Sequence, residues 1–134
     1  MGVDPRIAAT EALARAWNRL DPGIVVPMLS DRVRYESADT ELVMEGRSQV
    51  ASYLAHKAEL ISLVGDEAAI RAEIGYVATP SEPRRPCIIS YQGGEEASAL
   101  FLVSMDDEGM IGRIEVCTID PDPKSAIGTG SFPK

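Results

Sequence analysis

Tyr35, Ser37 and Asp39 recur at every second residue of one short run, so on a continuous strand their side chains share a face. A phenol, a hydroxyl and a carboxylate on one wall suit proton transfer on a small carbonyl compound. At the rim of an apolar cavity the carboxylate loses solvation, its pKa rises, and it becomes a base; the phenol would hold the substrate oxygen. Asp39 is therefore the candidate base and Tyr35 the candidate donor. A simpler reading of Asp39 stands beside this one. Asp39-Thr40 forms a hairpin turn, in which the carboxylate caps its own backbone and faces water.

The rest of such a pocket would draw on Trp17, Ser37, Met44 and Tyr53, and on Tyr76, Leu100, Ile114 and Val116 from later strands. A buried phenol seeks a partner, so Tyr35 and Tyr76 either orient a ligand's oxygen or fill the core while bonded to backbone. Arg113 and Glu115 alternate with the apolar Ile114 and Val116, which puts the charged pair on the opposite face as a surface ion pair or dimer contact. His56 falls between apolar stripes of a helix and reads as exposed. Asp106-Asp107-Glu108 reads as a solvated turn without the ligand spacing of a calcium loop. One histidine and two separated cysteines offer no zinc site, and neither a metal nor a cofactor is expected. Cys87 and Cys117, each inside an apolar run, read as reduced core thiols.

At 134 residues the chain is long enough for one core. Its 21 acids against 13 bases leave a formal charge of −8, which argues against nucleic acid and anionic membrane, since both need a basic footprint. No apolar run approaches a membrane span, and no basic-then-apolar leader opens the chain; a cytoplasmic protein is expected.

The elements that must position these residues follow from periodicity. Asp4-Pro5 opens a helix whose stripe is Ala9, Leu13, Ala16, Trp17 and Leu20. Asp21-Pro22 opens a second, shorter helix carrying Ile24, Val25, Met28 and Leu29 inward, curtailed or kinked at Pro27. Residues 32–38 and 40–44 form two strands about the Asp39-Thr40 turn. A third helix over 46–63 has the stripe Val50, Leu54, Ala58 and Ile61. Four antiparallel strands follow, over 68–79, 87–92, 95–105 and 110–119, with Gly93-Gly94 as a two-residue hairpin turn. Residues 1–119 make one domain; the Pro/Gly-rich tail 120–134 is either disordered or a strap held by a partner subunit. Strands gathered after helices suggest an α+β fold.

With that order, the chain resembles the nuclear transport factor 2-like superfamily, whose members include the SnoaL-like polyketide cyclases and the ketosteroid isomerases. The resemblance rests on Ala16-Trp17-Asn18, on 21–29, on Ser30-Asp31-Arg32-Val33-Arg34-Tyr35, and on Glu45-Gly46-Arg47, and spans residues 4–119. It implies a cone-shaped, cystatin-like fold: three N-terminal helices packed on a strongly bent, mostly antiparallel sheet around a pocket. The isomerases' catalytic aspartate, tyrosine and protonated aspartate fall at Ser37, Leu13 and Leu100, so that chemistry is not carried over. A fold of this kind hosts many functions. Two remain in view: a cofactor-independent cyclase, isomerase or hydratase acting on an apolar carbonyl compound, or a non-catalytic ligand-binding or interaction module that dimerises through the outer sheet face.

Overall fold

The computed structural model describes residues 4–134; residues 1–3, the start of the expected 1–119 unit, lie outside the described residues. The first helix, α1 (Pro5–Arg19), begins as its sequence requires: the Asp4 carboxylate accepts from the Arg6 N–H at 2.9 Å, and Pro5 fills the first helical position. Ala9, Leu13, Ala16 and Trp17 are buried along one face. At its end Asn18 donates to the Ala72 carbonyl at 3.0 Å and accepts from the Ala72 N–H at 2.7 Å, tying the helix to a strand 54 residues away.

The expected second helix is not one helix. Pro22–Ile24 and Val26–Met28 are separate single 3-10 turns. Pro27 supplies no N–H and disfavours the helical region for Val26, so the segment cannot propagate i to i+4 bonding. Val25 and Leu29 are still fully buried. The other helix, α2 (Arg47–Val64), starts after Gly46, whose φ of 93° only glycine adopts freely. It buries the expected stripe of Val50, Leu54, Ala58 and Ile61.

Seven strands form one sheet: β1 (Leu29–Ser37), β2 (Val43–Glu45), β3 (Ile70–Val77), β4 (Arg85–Gln92), β5 (Ala97–Met105), β6 (Ile111–Cys117) and β7 (Ile127–Ser131). Their order is β2-β1-β6-β5-β4-β3-β7, with β1 parallel to β6 and the other pairs antiparallel. The β4–β5 turn is longer than expected: residues 93–96 separate the strands, and the register shifts between Ser90 and Tyr91. A shift of this kind bends the strand that carries it.

The sheet has an inner face, packed on α1 and α2, and an outer face. The alternation of β4 and β5 supplies both. Ile88, Phe101 and Val103 join the inner core, whereas Cys87, Ile89, Leu100 and Leu102 join Val77 and Cys117 in an outer cluster. The chain after β6 covers this outer cluster. Leaving β6, it must pass β5 and β4 to reach the far edge beside β3. On the way Pro123 is buried and Ala126 packs against the cluster. The last residues join the sheet of their own chain, where β7 pairs with β3. The apolar part of the outer face, where a second copy was expected to dock, is occupied by the chain's own residues. Among the described residues no helix is long and apolar enough to cross a membrane.

Candidate functional site

A pocket of about 380 Å³ opens between α1, α2 and the inner face of the sheet. It exists because the facing residues are small. Ser90 on β4 pairs with Ala99 on β5, and neither fills the space between Trp17 and the Tyr53–Lys57 turn of α2. The deep wall is Trp17, Tyr35, Phe101, Ile70 and Ser90, all buried. The Trp17 and Phe101 rings sit 5.8 Å apart, and the Tyr35 and Tyr53 rings 5.2 Å. Thr40, Leu42, Gln92, Ser98 and Thr118 form the exposed mouth, with Lys57 half-buried beside them.

The structure brings together Trp17, Tyr35, Ser37, Tyr53 and Val116 of the residues singled out from sequence. The others lie elsewhere. Met44 pairs with Tyr35 across β1–β2 and Ile114 with Tyr35 across β1–β6; both are core filler. Leu100 is fully buried on the outer side, because the register of β5 turns Ala99 and Phe101 inward instead. Tyr76 lies outside the pocket on β3, between β4 and β7, where Arg84 stacks 4.2 Å from its ring centroid.

Asp39 does not line the pocket. Its carboxylate accepts from the Thr118 and Ile119 N–H groups and, at 2.9 Å, from the Thr118 hydroxyl. The Thr118 N–H, helped by the other donors, holds its carboxyl below the ordinary value of 3.8. A base needs the opposite environment. Asp39 is a positioning residue: it pins the chain after β6 to the end of β1 and so places Thr118 at the pocket mouth. The turn reading has Asp39 capping its own backbone; the backbone it caps instead lies 79 residues away, at Thr118.

Tyr35 and Tyr53 are held in the protonated state. Burial, with the neighbouring Tyr53 adding to it, pushes the Tyr35 phenol far above its ordinary 10.0. Burial also raises Tyr53, a hydrogen bond from Tyr35 partly offsetting this. Both phenols are hydrogen-bonding groups at any physiological pH. The Trp17 indole N–H is buried without an acceptor. Phenols, hydroxyls, an indole N–H and the Lys57 ammonium can orient a ligand's oxygens, and no carboxylate or imidazole of the described residues lines the wall.

Sequence reading missed Lys57, Ser90 and Ala99. Ser90 had a signal: it is a lone polar residue in the run Cys87-Ile88-Ile89-Ser90, at the parity of inward-facing Ile88. Lys57 follows Tyr53 by one helical turn, on the flank of the buried stripe.

The remaining candidates stand as follows. Arg113 and Glu115 do form an outer-face ion pair at 3.4 Å, and Arg113 also bonds Glu36. His56 is exposed. The first acid of the 106–108 turn is engaged locally, Asp106 accepting from the Glu108 and Met110 N–H groups at 2.9 Å. Both cysteines are free and buried; burial pushes the Cys87 thiol up to about 12 and the Cys117 thiol to about 11, leaving each inert. Among the described residues no group of three or more His, Cys, Asp or Glu could hold a metal ion.

No family model matches this sequence, and no curated protein does. Solved structures match in fold. A SnoaL-like protein of unknown function from Burkholderia thailandensis aligns over 87% of this chain and 96% of its own, at 11% identity and a TM-score of 0.62. A candidate ketosteroid isomerase from Kribbella flavida aligns over 84% and 76%, at 14% identity and 0.58. A protein with a cystatin-like fold from Silicibacter pomeroyi aligns over 87% and 75%, at 21% identity and 0.57. The α+β fold is thus shared with SnoaL-like, ketosteroid isomerase-like and cystatin-like proteins, as the nuclear transport factor 2-like resemblance implies. At these identities the likeness is one of fold alone.

Proposed function

We propose that this chain is a small-molecule binding protein whose pocket holds an apolar body and orients its oxygens with neutral donors. One observation carries the reading: the groups lining the pocket include phenols, hydroxyls, an indole N–H and a lysine, but no carboxylate or imidazole. A cyclase or isomerase that abstracts a proton through Asp39 loses its base, because that carboxylate is engaged outside the pocket. The shared fold supports a pocket at this place without supplying an activity.

Filling the hollow tests the reading. Apolar carbonyl compounds at about 100 times Kd stabilise a binding protein by about 2.7 kcal/mol, several degrees in Tm. That shift is expected in the wild type and should vanish in Ala99→Phe, with the compound recovered unchanged by mass spectrometry. Turnover that is lost in Asp39→Asn at unchanged Tm would sink the non-catalytic reading and restore the base.

A further inference from the structure

We infer that the ligand of this pocket is an organic carboxylate, its apolar body lying along Trp17 and Phe101 and its anionic group meeting Lys57. This rests on the pocket reading above and adds the ligand's charge to it. Lys57 lines the mouth, half-buried, and makes no ion pair among the described residues. Among the described residues it is the one charged group that lines this pocket. A lysine on a solvated helix face needs no partner. This one stands one turn after Tyr53, half-buried, against a wall that the described residues line without a carboxylate.

A second observation is independent of charge. Trp17 is 4% exposed, lines the same pocket, and its indole N–H finds no acceptor. Buried donors of this kind are rarely left unpaired. An ammonium and an indole N–H on one apolar wall are both short of the same thing, an oxygen acceptor, and the ammonium favours a charged one. A phosphate would favour a second cation, and the described residues line the wall with Lys57 alone. One carboxylate matches one lysine.

Adamantane-1-carboxylate and 1-adamantanemethanol share a body and differ in charge. Because the chain has a single tryptophan, nitrogen-15 labelling gives one indole resonance, and that resonance reports on the pocket wall directly. The carboxylate is expected to bind about tenfold tighter than the alcohol or better. Lys57→Met should erase the difference while leaving the alcohol's affinity unchanged, and Lys57→Arg should keep most of it. Equal affinities in the wild type, or a preference that survives Lys57→Met, would overturn the carboxylate and leave the pocket standing. If neither compound moves the indole resonance at about 1 mM, the weak end of specific binding, both readings fall together.

Discussion

The two faces of the sheet solve the same problem in opposite ways. Each strand of the β4–β5 pair sends apolar side chains to both sides. On the inner side two helices cover them but do not fill the volume, because Ser90 and Ala99 stop short, and a hollow remains with donors left unsatisfied around it. On the outer side the cover is a passing chain with hardly any secondary structure, yet Cys87, Leu100 and Cys117 are fully buried beneath it. A regular helix presents a rigid ridge and leaves gaps wherever the facing residue is small. An irregular segment follows the surface it lies on. The incompletely filled side is the one that holds the proposed site.

The outer cover is clamped at both ends by carboxylates. Asp39 holds its beginning at Thr118 and Ile119. Near its end, the largely buried Glu73 accepts from the Tyr91 hydroxyl at 2.6 Å and from the Gly130 N–H at 2.8 Å. Burial, with the hydrogen bond to Glu73, raises the Tyr91 phenol to about 12 and keeps it a donor. Beyond the clamp Arg71 lies against both the Tyr91 and Phe132 rings, 5.2 and 5.5 Å from their centroids, and Asn18 donates to the Pro133 carbonyl at 2.7 Å.

The largest effect expected on this contrast comes from Gly75→Ala. A Cβ there would lie 2.7 Å from the Ile127 carbonyl oxygen and 2.7 Å from Ile89 Cδ1, so β7 must move off β3. A loss of about 1–3 kcal/mol is expected in urea unfolding, with new protease cleavage in the tail. An unchanged midpoint would remove the close approach on which the outer cover depends.

Acid should loosen the same cover by a smaller amount. Asp39 has a depressed folded-state pKa, so its contribution is complete above its ordinary value of 3.8 and is lost as pH falls through the depressed value. Asp4 and Glu82, both lowered by Arg6, carry the same sign. Stability should therefore decline on acidification below the ordinary carboxylate range. Protection of the Thr118 and Ile119 amides, corrected for intrinsic exchange, should decline with it, and Asp39→Asn should flatten that response.

The smallest change is expected on the inner side. Thr10 is 1% exposed and its hydroxyl has no partner. Thr10→Val keeps the shape and removes the unpaired group, which should raise stability by about 0.5–1 kcal/mol in the same urea titration. A loss of stability instead would show that the hydroxyl does find an acceptor.

Much of the fold could be read from spacing. The stripe of α2, the four-strand meander and the inward set of Trp17, Tyr35, Ser37, Tyr53 and Val116 each follow from a local period. Leu100 was placed on the wrong side because the register of a late strand cannot be counted from a family pattern by eye, and a one-residue slip reverses the face. The path of the tail is not legible in sequence because Gly and Pro remove periodicity, and its contacts come from Glu73, Asn18 and β3 rather than from itself. Gly75, a glycine within a strand, was the one local sign that another backbone passes close by.

What the chain determines by itself is each element and the face it hides, because steric limits on the backbone and the alternation of apolar residues act over a few positions at a time. Which groups then meet is a tertiary matter. Asp39 and Thr118 are 79 residues apart, and Glu73 and Gly130 are 57 apart. Their encounter depends on strand order and on the path of the chain after β6, which no local period encodes. The same encounter takes the carboxylate away from the pocket and leaves Lys57 as the one charge that the described residues place on its wall.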